Sequence, residues 1–231
     1  MPDLNGLNVV ITGASGALGS AVTERFHEAG AQCFLPLVET KVPLHLQKQG
    51  ITTACGVDLT SEEDVESFFS GLPHIWATVN IAGGFLYAPI EETNATLLMK
   101  MLNLNVLTTY LSSRASIHHM LNSGRGGRIV NIAARTALRP ELGANMSAYA
   151  VAKAGVSALT AALAEEVKSH GIAVNALCPS IIDTPENRRQ MPDADHAKWI
   201  SPSVIAAEIV HLVSMETAAI SGASIPIYGE V

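Results

Sequence analysis

Val9-Val10-Ile11-Thr12-Gly13-Ala14-Ser15-Gly16-Ala17-Leu18-Gly19 decides how this chain folds. Its apolar start reads as a strand covered on both faces. Glycines at 13, 16 and 19 let the backbone turn tightly, and residues 17–29 then read as a helix. A helix that begins right after such a turn offers free N–H groups and a partial positive charge to a phosphate. Strand, turn and helix stand in the order a pyrophosphate seat requires. Gly13, Ser15, Gly16, Ala17, Leu18 and Gly19 are its candidate lining.

The same alternation continues outward. Apolar strand-like runs at 7–12, 31–38, 51–57, 75–80, 128–133, 172–178 and 224–228 are separated by helical stretches. The helical stretches lie near 17–29, 61–70, 91–123 (read as two helices), 147–169 and 203–215. Thr60-Ser61-Glu62-Glu63 reads as a capping box, Ser201-Pro202 as an N-cap before a first-turn proline, and Gly30 and Gly171 as C-caps. Strands alternating with helices predict right-handed crossovers and an α/β, Rossmann-type doubly wound parallel sheet flanked by helices. No linker, repeat or low-complexity tract divides residues 1–231, so a single domain is expected.

Composition narrows the function. Hydrophobic residues make up 48% of the chain and charged residues 15%, which suits a sheet buried on both faces. The net charge of −7 argues against nonspecific nucleic-acid binding. No apolar run reaches the roughly 18 residues of a membrane span, and the first residues lack the regions of a signal peptide. Cys33, Cys55 and Cys178 have no metal spacing and fall in strand-like runs, so buried thiols in a reducing, cytoplasmic compartment are expected. The eight histidines form no metal pattern, and no metal is expected; adjacent His118 and His119 point about 100° apart on a helix.

Tyr149 and Lys153 carry the chemistry. They stand four residues apart in the helical stretch Ser147-Ala148-Tyr149-Ala150-Val151-Ala152-Lys153, so they share a face. A phenol titrates near about 10, and a neighbouring cation favours the phenolate. A phenol tuned in this way can give or take a proton. With the phosphate-binding turn, the pair points to hydride chemistry on a dinucleotide.

With Thr12-Gly13…Gly19 at one end and Tyr149-Ala-Val-Ala-Lys153 at the other, the chain resembles the short-chain dehydrogenase/reductase family over its whole length. Asp58-Leu59 matches the family's adenine-contacting position. Asn80-Ile81-Ala82-Gly83 matches its Asn-Asn-Ala-Gly turn, with the second Asn replaced. Asn105 matches its helix asparagine, and 179–184 its Pro-Gly segment, with Ser180 for the glycine and Thr184 as the nicotinamide-contacting threonine. The resemblance implies a seven-stranded parallel sheet in the order 3-2-1-4-5-6-7. It also implies cofactor binding by Asp58, Leu59, Asn80, Ala82, Gly83, Tyr149, Lys153, Pro179, Ile182 and Thr184, beside the glycine turn. Tyr149 would be general acid or base. Lys153 would lower its pKa and bond the nicotinamide ribose, and Asn105 would hold a relay water. A homodimer or homotetramer acting on a small molecule is implied as well.

Two departures matter. The strand before Tyr149 ends Asn131-Ile132-Ala133-Ala134, where the family has Asn-Ile-Ser-Ser, so Ala134 takes the catalytic serine's place. Thr136 lies thirteen residues before Tyr149, the usual serine spacing; strand ends vary less than loops, which favours Ala134 as the equivalent. A narrower likeness in the Gly-Ala-Leu-Gly turn, Ala82-Gly83-Gly84, 134–138 and 183–195 is to the dihydropteridine reductase branch, which works without that serine on a quinonoid pterin, a conjugated imine. Arg188, Arg189 and Trp199 fall in the substrate-covering region, where solubilising or packing roles compete with substrate contact. The ribose-selecting position falls at Leu37, with Glu39 and Lys41 nearby; NAD or NADP is expected, leaning slightly to NAD because no arginine is near. The leading expectation is an NAD(P)-dependent oxidoreductase acting on a small carbonyl, alcohol or conjugated imine. Ala134 keeps open a nucleotide-binding sensor or structural subunit with little catalysis.

Overall fold

The computed structural model describes residues 2–217 and 219–230. Its strands are β1 (Asn8–Thr12), β2 (Gln32–Leu37), β3 (Ile51–Cys55), β4 (Ala77–Asn80), β5 (Gly127–Ile132), β6 (Ile172–Pro179) and β7 (Ser224–Ile227). They form one parallel sheet in the order β3-β2-β1-β4-β5-β6-β7, as the resemblance implied. Chain direction across the sheet reverses between β1 and β4, and the crevice beyond their carboxyl ends is where such sheets seat ligands.

The helices are α1 (Ala17–Glu28), α2 (Glu62–Ser70), α3 (Ala95–Leu102), α4 (Thr108–Ser123), α5 (Arg135–Leu138), α6 (Ser147–Val167), α7 (Pro185–Gln190) and α8 (Pro202–Val213). Side chains alternate across each strand, so the sheet builds a core on both faces. Val9 and Ile11 pack with Phe26 of α1 and Ile205 and Ile209 of α8. Val10 packs the other way, with Phe69 of α2, Leu111 of α4 and Val167 of α6. Each such fully buried side chain stabilises the fold by about 1.5–3 kcal/mol. Gly30 (φ 86°) and Gly171 (φ 69°) end α1 and the turn after α6 in the left-handed conformation expected of C-caps.

Several local expectations are corrected. The 91–123 stretch holds two helices as read, α3 and α4, but they begin at Ala95 and are joined through a π-helical turn, Asn103–Leu107. The cap of α2 is displaced by one residue: Ser61 accepts from the Asp64 N–H, and the Asp64 carboxylate reaches the Asp58 N–H. Cys33 and Cys178 are buried, but Cys55 is exposed, because it ends the edge strand β3. The helical segment Ser147–His170 is long and apolar enough to cross a membrane by length and composition; here α6 packs on the sheet through residues such as Val156 and Ala164.

Candidate active site

The glycine turn is shaped by contacts that admit no side chain. Gly13 has φ 68°, and a Cβ there would lie 2.8 Å from the Ala82 nitrogen. At Gly19 a Cβ would lie 2.0 Å from the Gly13 carbonyl oxygen. Thr12 ties this turn to the next, its hydroxyl accepting from the N–H groups of Ile81 (3.0 Å) and Ala82 (3.1 Å). Gly16 caps α1 without a side chain, which leaves first-turn N–H groups open to an anion.

Beyond this turn lies a cavity of about 810 Å³. Leu18, Gly83, Asn105, Tyr149, Lys153, Pro179 and Ile182 all line it, so side chains far apart in sequence meet there as expected. Ala134 and Thr136 line it too. The π-helical turn carries the fully buried Asn105, whose amide donates to the carbonyls of Met101 (2.9 Å) and Gly84 (3.0 Å) and accepts from the Gly84 N–H (3.3 Å). A Cβ on Gly83 would stand 2.7 Å from the Asn105 Oδ1 and 3.6 Å from the Lys153 Nζ. This close approach brings turn, asparagine and lysine to one wall. Across the rim, Asn145 (φ 60°) donates to the Tyr87 hydroxyl and accepts from the Ala88 N–H, fastening the 83–89 loop.

Lys153 is buried and donates from Nζ to the Ile132 carbonyl at 2.7 Å. Its Nζ lies 5.9 Å from the centre of the Tyr149 ring. Burial brings its pKa down from 10.5 to about 8. The expectation that this cation lowers the Tyr149 pKa is corrected. Burial pushes the phenol well above its usual 10.0, because Lys153 is directed at a carbonyl and removal from water dominates. Phe85 packs edge-on against the Tyr149 ring at 5.0 Å. The Tyr149 hydroxyl makes no hydrogen bond among the described residues, and Tyr149 lines the cavity.

Other expected site residues sit differently. Asn80 turns its side chain into a buried polar ladder, donating to the Ser113 hydroxyl (3.0 Å) and the side-chain Oδ1 of Asn131 (2.9 Å). Its Nδ2 is thus spent inside the fold, its Oδ1 is buried with no partner among the described residues, and Asn80 does not line the cavity. Leu59 packs in the core with Phe69. Asp58 accepts from the backbone and hydroxyl of Thr60, which lowers its pKa, and it does not line the cavity. The Thr184 hydroxyl caps α7 through the Asn187 N–H (3.1 Å), with Pro185 at the first position. Arg188 forks onto Asp183, and Arg189 pairs with Glu186; neither lines the cavity. Trp199 is buried beside His196 as a packing residue. Ala134 brings no hydroxyl, whereas the Thr136 Oγ1 is buried with no partner. Arg135, which sequence reasoning passed over, also lines the cavity; its only signal in sequence was adjacency to Ala134. At the ribose-selecting end, Leu37 is in the core, Glu39 is half-buried and Lys41 is exposed, so no residue there supports the lean to NAD.

The short chain dehydrogenase family model matches residues 7–195. The chain is 29% identical to the 3-oxoacyl-(acyl-carrier-protein) reductase of Vibrio harveyi over 98% of each chain. It is 29% identical to 3beta-hydroxysteroid dehydrogenase 1 of Eggerthella lenta over 84% of this chain and 77% of that one. A crystal structure from Beutenbergia cavernae, described as an NAD(P)-dependent gluconate 5-dehydrogenase with bound NADP, superposes with a TM-score of 0.87 at 27% identity, covering 97% of this chain and 96% of that one. With sheet order, glycine turn and Tyr149–Lys153 cavity already in agreement, the chain belongs to the short-chain dehydrogenase family, as an NAD(P)-dependent oxidoreductase acting on alcohol or carbonyl substrates.

Proposed function

We propose that this protein reduces a small carbonyl or conjugated imine with Tyr149 as the proton donor, and that its site is built to work without a serine hydroxyl. One observation carries the reading: Tyr149, whose hydroxyl has no hydrogen bond among the described residues, lines one cavity with Lys153, and the serine position there is Ala134. Burial keeps the phenol protonated at neutral pH, which is the form a proton donor needs. Lys153, with a pKa of about 8, is largely an ammonium at pH 7, so it can stabilise the phenolate left behind and return a proton to it. Asn105 holds that wall in place through Gly84.

The residues fit a dinucleotide. The turn at Gly13 and Gly19 has no room for a side chain, and the start of α1 offers its N–H groups to the phosphates. Lys153, Gly83, Pro179 and Ile182 would hold the nicotinamide end, which supplies the hydride when bound. Leu37 at the ribose-selecting position leaves both NAD and NADP open. A conjugated imine such as a quinonoid pterin is polarised by its own conjugation and does not need a second hydroxyl, which suits Ala134. Retention of Tyr149, Lys153 and Asn105 around one cavity leaves the sensor reading with Ala134 alone in its support.

A second reading rests on Thr136, which lines the cavity and whose buried hydroxyl has no partner among the described residues; a rotation of that side chain would bring the hydroxyl to a ketone. The test is NADPH and NADH oxidation over a panel of ketones and quinonoid dihydropterin, comparing the native protein with Tyr149→Phe. Turnover that the substitution lowers by about 10²-fold or more supports the reading. Turnover unaffected by it, or cofactor binding with no turnover on any member of the panel, counts against it.

A further inference from the structure

We infer that Arg135 is a substrate-recognition residue and that the substrate carries a carboxylate; this rests on reading the cavity as the substrate site. Among the described residues no Asp or Glu lines the cavity, and its charged lining is Lys153 and Arg135, in a chain of net charge −7. Five other arginines, Arg25, Arg114, Arg139, Arg188 and Arg189, pair with carboxylates, and the buried Arg128 donates to the Gly127 and Gly171 carbonyls. Arg135 is half-buried and has neither an ion pair nor a hydrogen bond among the described residues. Its guanidinium lies over the Tyr228 ring, 5.8 Å from the centre. That contact steadies one face of the plane and leaves the N–H fork at its edge unused.

A half-buried cation without a partner is costly, and the natural partner of a planar fork is a planar carboxylate held by two hydrogen bonds. The pyrophosphate of a dinucleotide has its own seat at the turn from Gly13 to Gly19, of which Leu18 reaches this cavity and the three glycines do not. Thr136, Leu142 and Met146 line the same cavity. One guanidinium among apolar walls balances one negative charge, which fits a carboxylate better than a dianionic phosphate. The geometry thus assigns the substrate a reducible group that reaches Tyr149 and a carboxylate that reaches Arg135.

The test is calorimetric binding of 4-formylbenzoate and its methyl ester to the protein saturated with NADP+, so that no hydride is available. The native protein is expected to bind the acid about 10- to 100-fold more tightly than the ester. In Arg135→Gln that preference disappears while ester binding stays within about 3-fold; in Arg135→Lys, which keeps the charge without the fork, part of it survives. Lys153 and the oxidised cofactor keep their charges in every variant, so they cannot produce this difference. No preference in the native protein, whether both probes bind equally or neither binds, overturns the inference; so does a preference that persists in Arg135→Gln. Turnover of the same aldehydes with NADPH is measured separately, and its failure would count against the oxidoreductase reading without touching the binding result.

Discussion

Replacing Lys153 with Met should make the protein more stable at neutral pH while removing its activity. In the fold the ammonium is buried, and its pKa falls from 10.5 to about 8. At about 1.36 kcal/mol per pH unit, holding the charge at pH 7 costs about 3 kcal/mol. Methionine of similar length removes that cost but leaves the buried Ile132 carbonyl without its donor, at about 1–2 kcal/mol. The net gain is about 1–2 kcal/mol, which for a chain of this size raises the melting temperature by about 2–8 °C. The sign with pH is fixed by linkage. A lysine whose pKa is lowered by folding destabilises the protein below about pH 8, and this cost is relieved as pH rises toward 10.5. Paired melts of native protein and variant at pH 7 and pH 10, without cofactor, should therefore show the advantage at pH 7 and little or none at pH 10. A variant that melts lower at pH 7, or an advantage that does not change with pH, would refute the reasoning.

Gly19→Ala should cost about 1–3 kcal/mol and abolish NADPH binding, because its Cβ would lie 2.0 Å from a backbone oxygen. Gly16→Ala, with its nearest atom at 3.5 Å, should melt close to native; equal melting losses in the two variants would contradict the cradle described. Ala134→Ser should leave turnover of quinonoid dihydropterin within about 3-fold, and Thr136→Val should do the same on every active substrate. A loss of about 10²-fold in Thr136→Val kinetics would transfer the polarising role to that hydroxyl. Burial raises the Cys33 thiol from 9.0 to about 12, so its stabilising effect is intact below pH 9 and is lost as pH rises from there. Cys33→Ala should accordingly lose stability less steeply than native between pH 9 and 11, as read by urea titration.

The fold was legible because its signals are local and repeated. Each strand announced itself as a short apolar run, and Gly13, Gly30 and Gly171 marked turns that only a left-handed backbone can make. Tyr149 and Lys153 were legible for the same reason, since helical spacing puts them on one face. What escaped depends on the neighbours a residue meets only after folding. The side chain of Asn80 goes to Ser113 and Asn131, an outcome set by how α4 packs across the sheet. The balance at Tyr149 turned on burial, which no pairwise spacing reports, and it reversed the direction expected from Lys153 alone. Cys55 looked like any strand cysteine until β3 proved to be an edge. Arg135 had no distinguishing pattern in sequence; only the cavity, and the absence of a nearby carboxylate, sets it apart from Arg188 and Arg189.

The most direct test of the whole account is a crystal structure of the protein with NADP+. Density for the pyrophosphate should lie at the turn from Gly13 to Gly19, and the nicotinamide should enter the cavity beside the Tyr149 hydroxyl and Lys153. A nicotinamide bound elsewhere, with Tyr149 turned away from it, would contradict the assignment of that phenol as the proton donor.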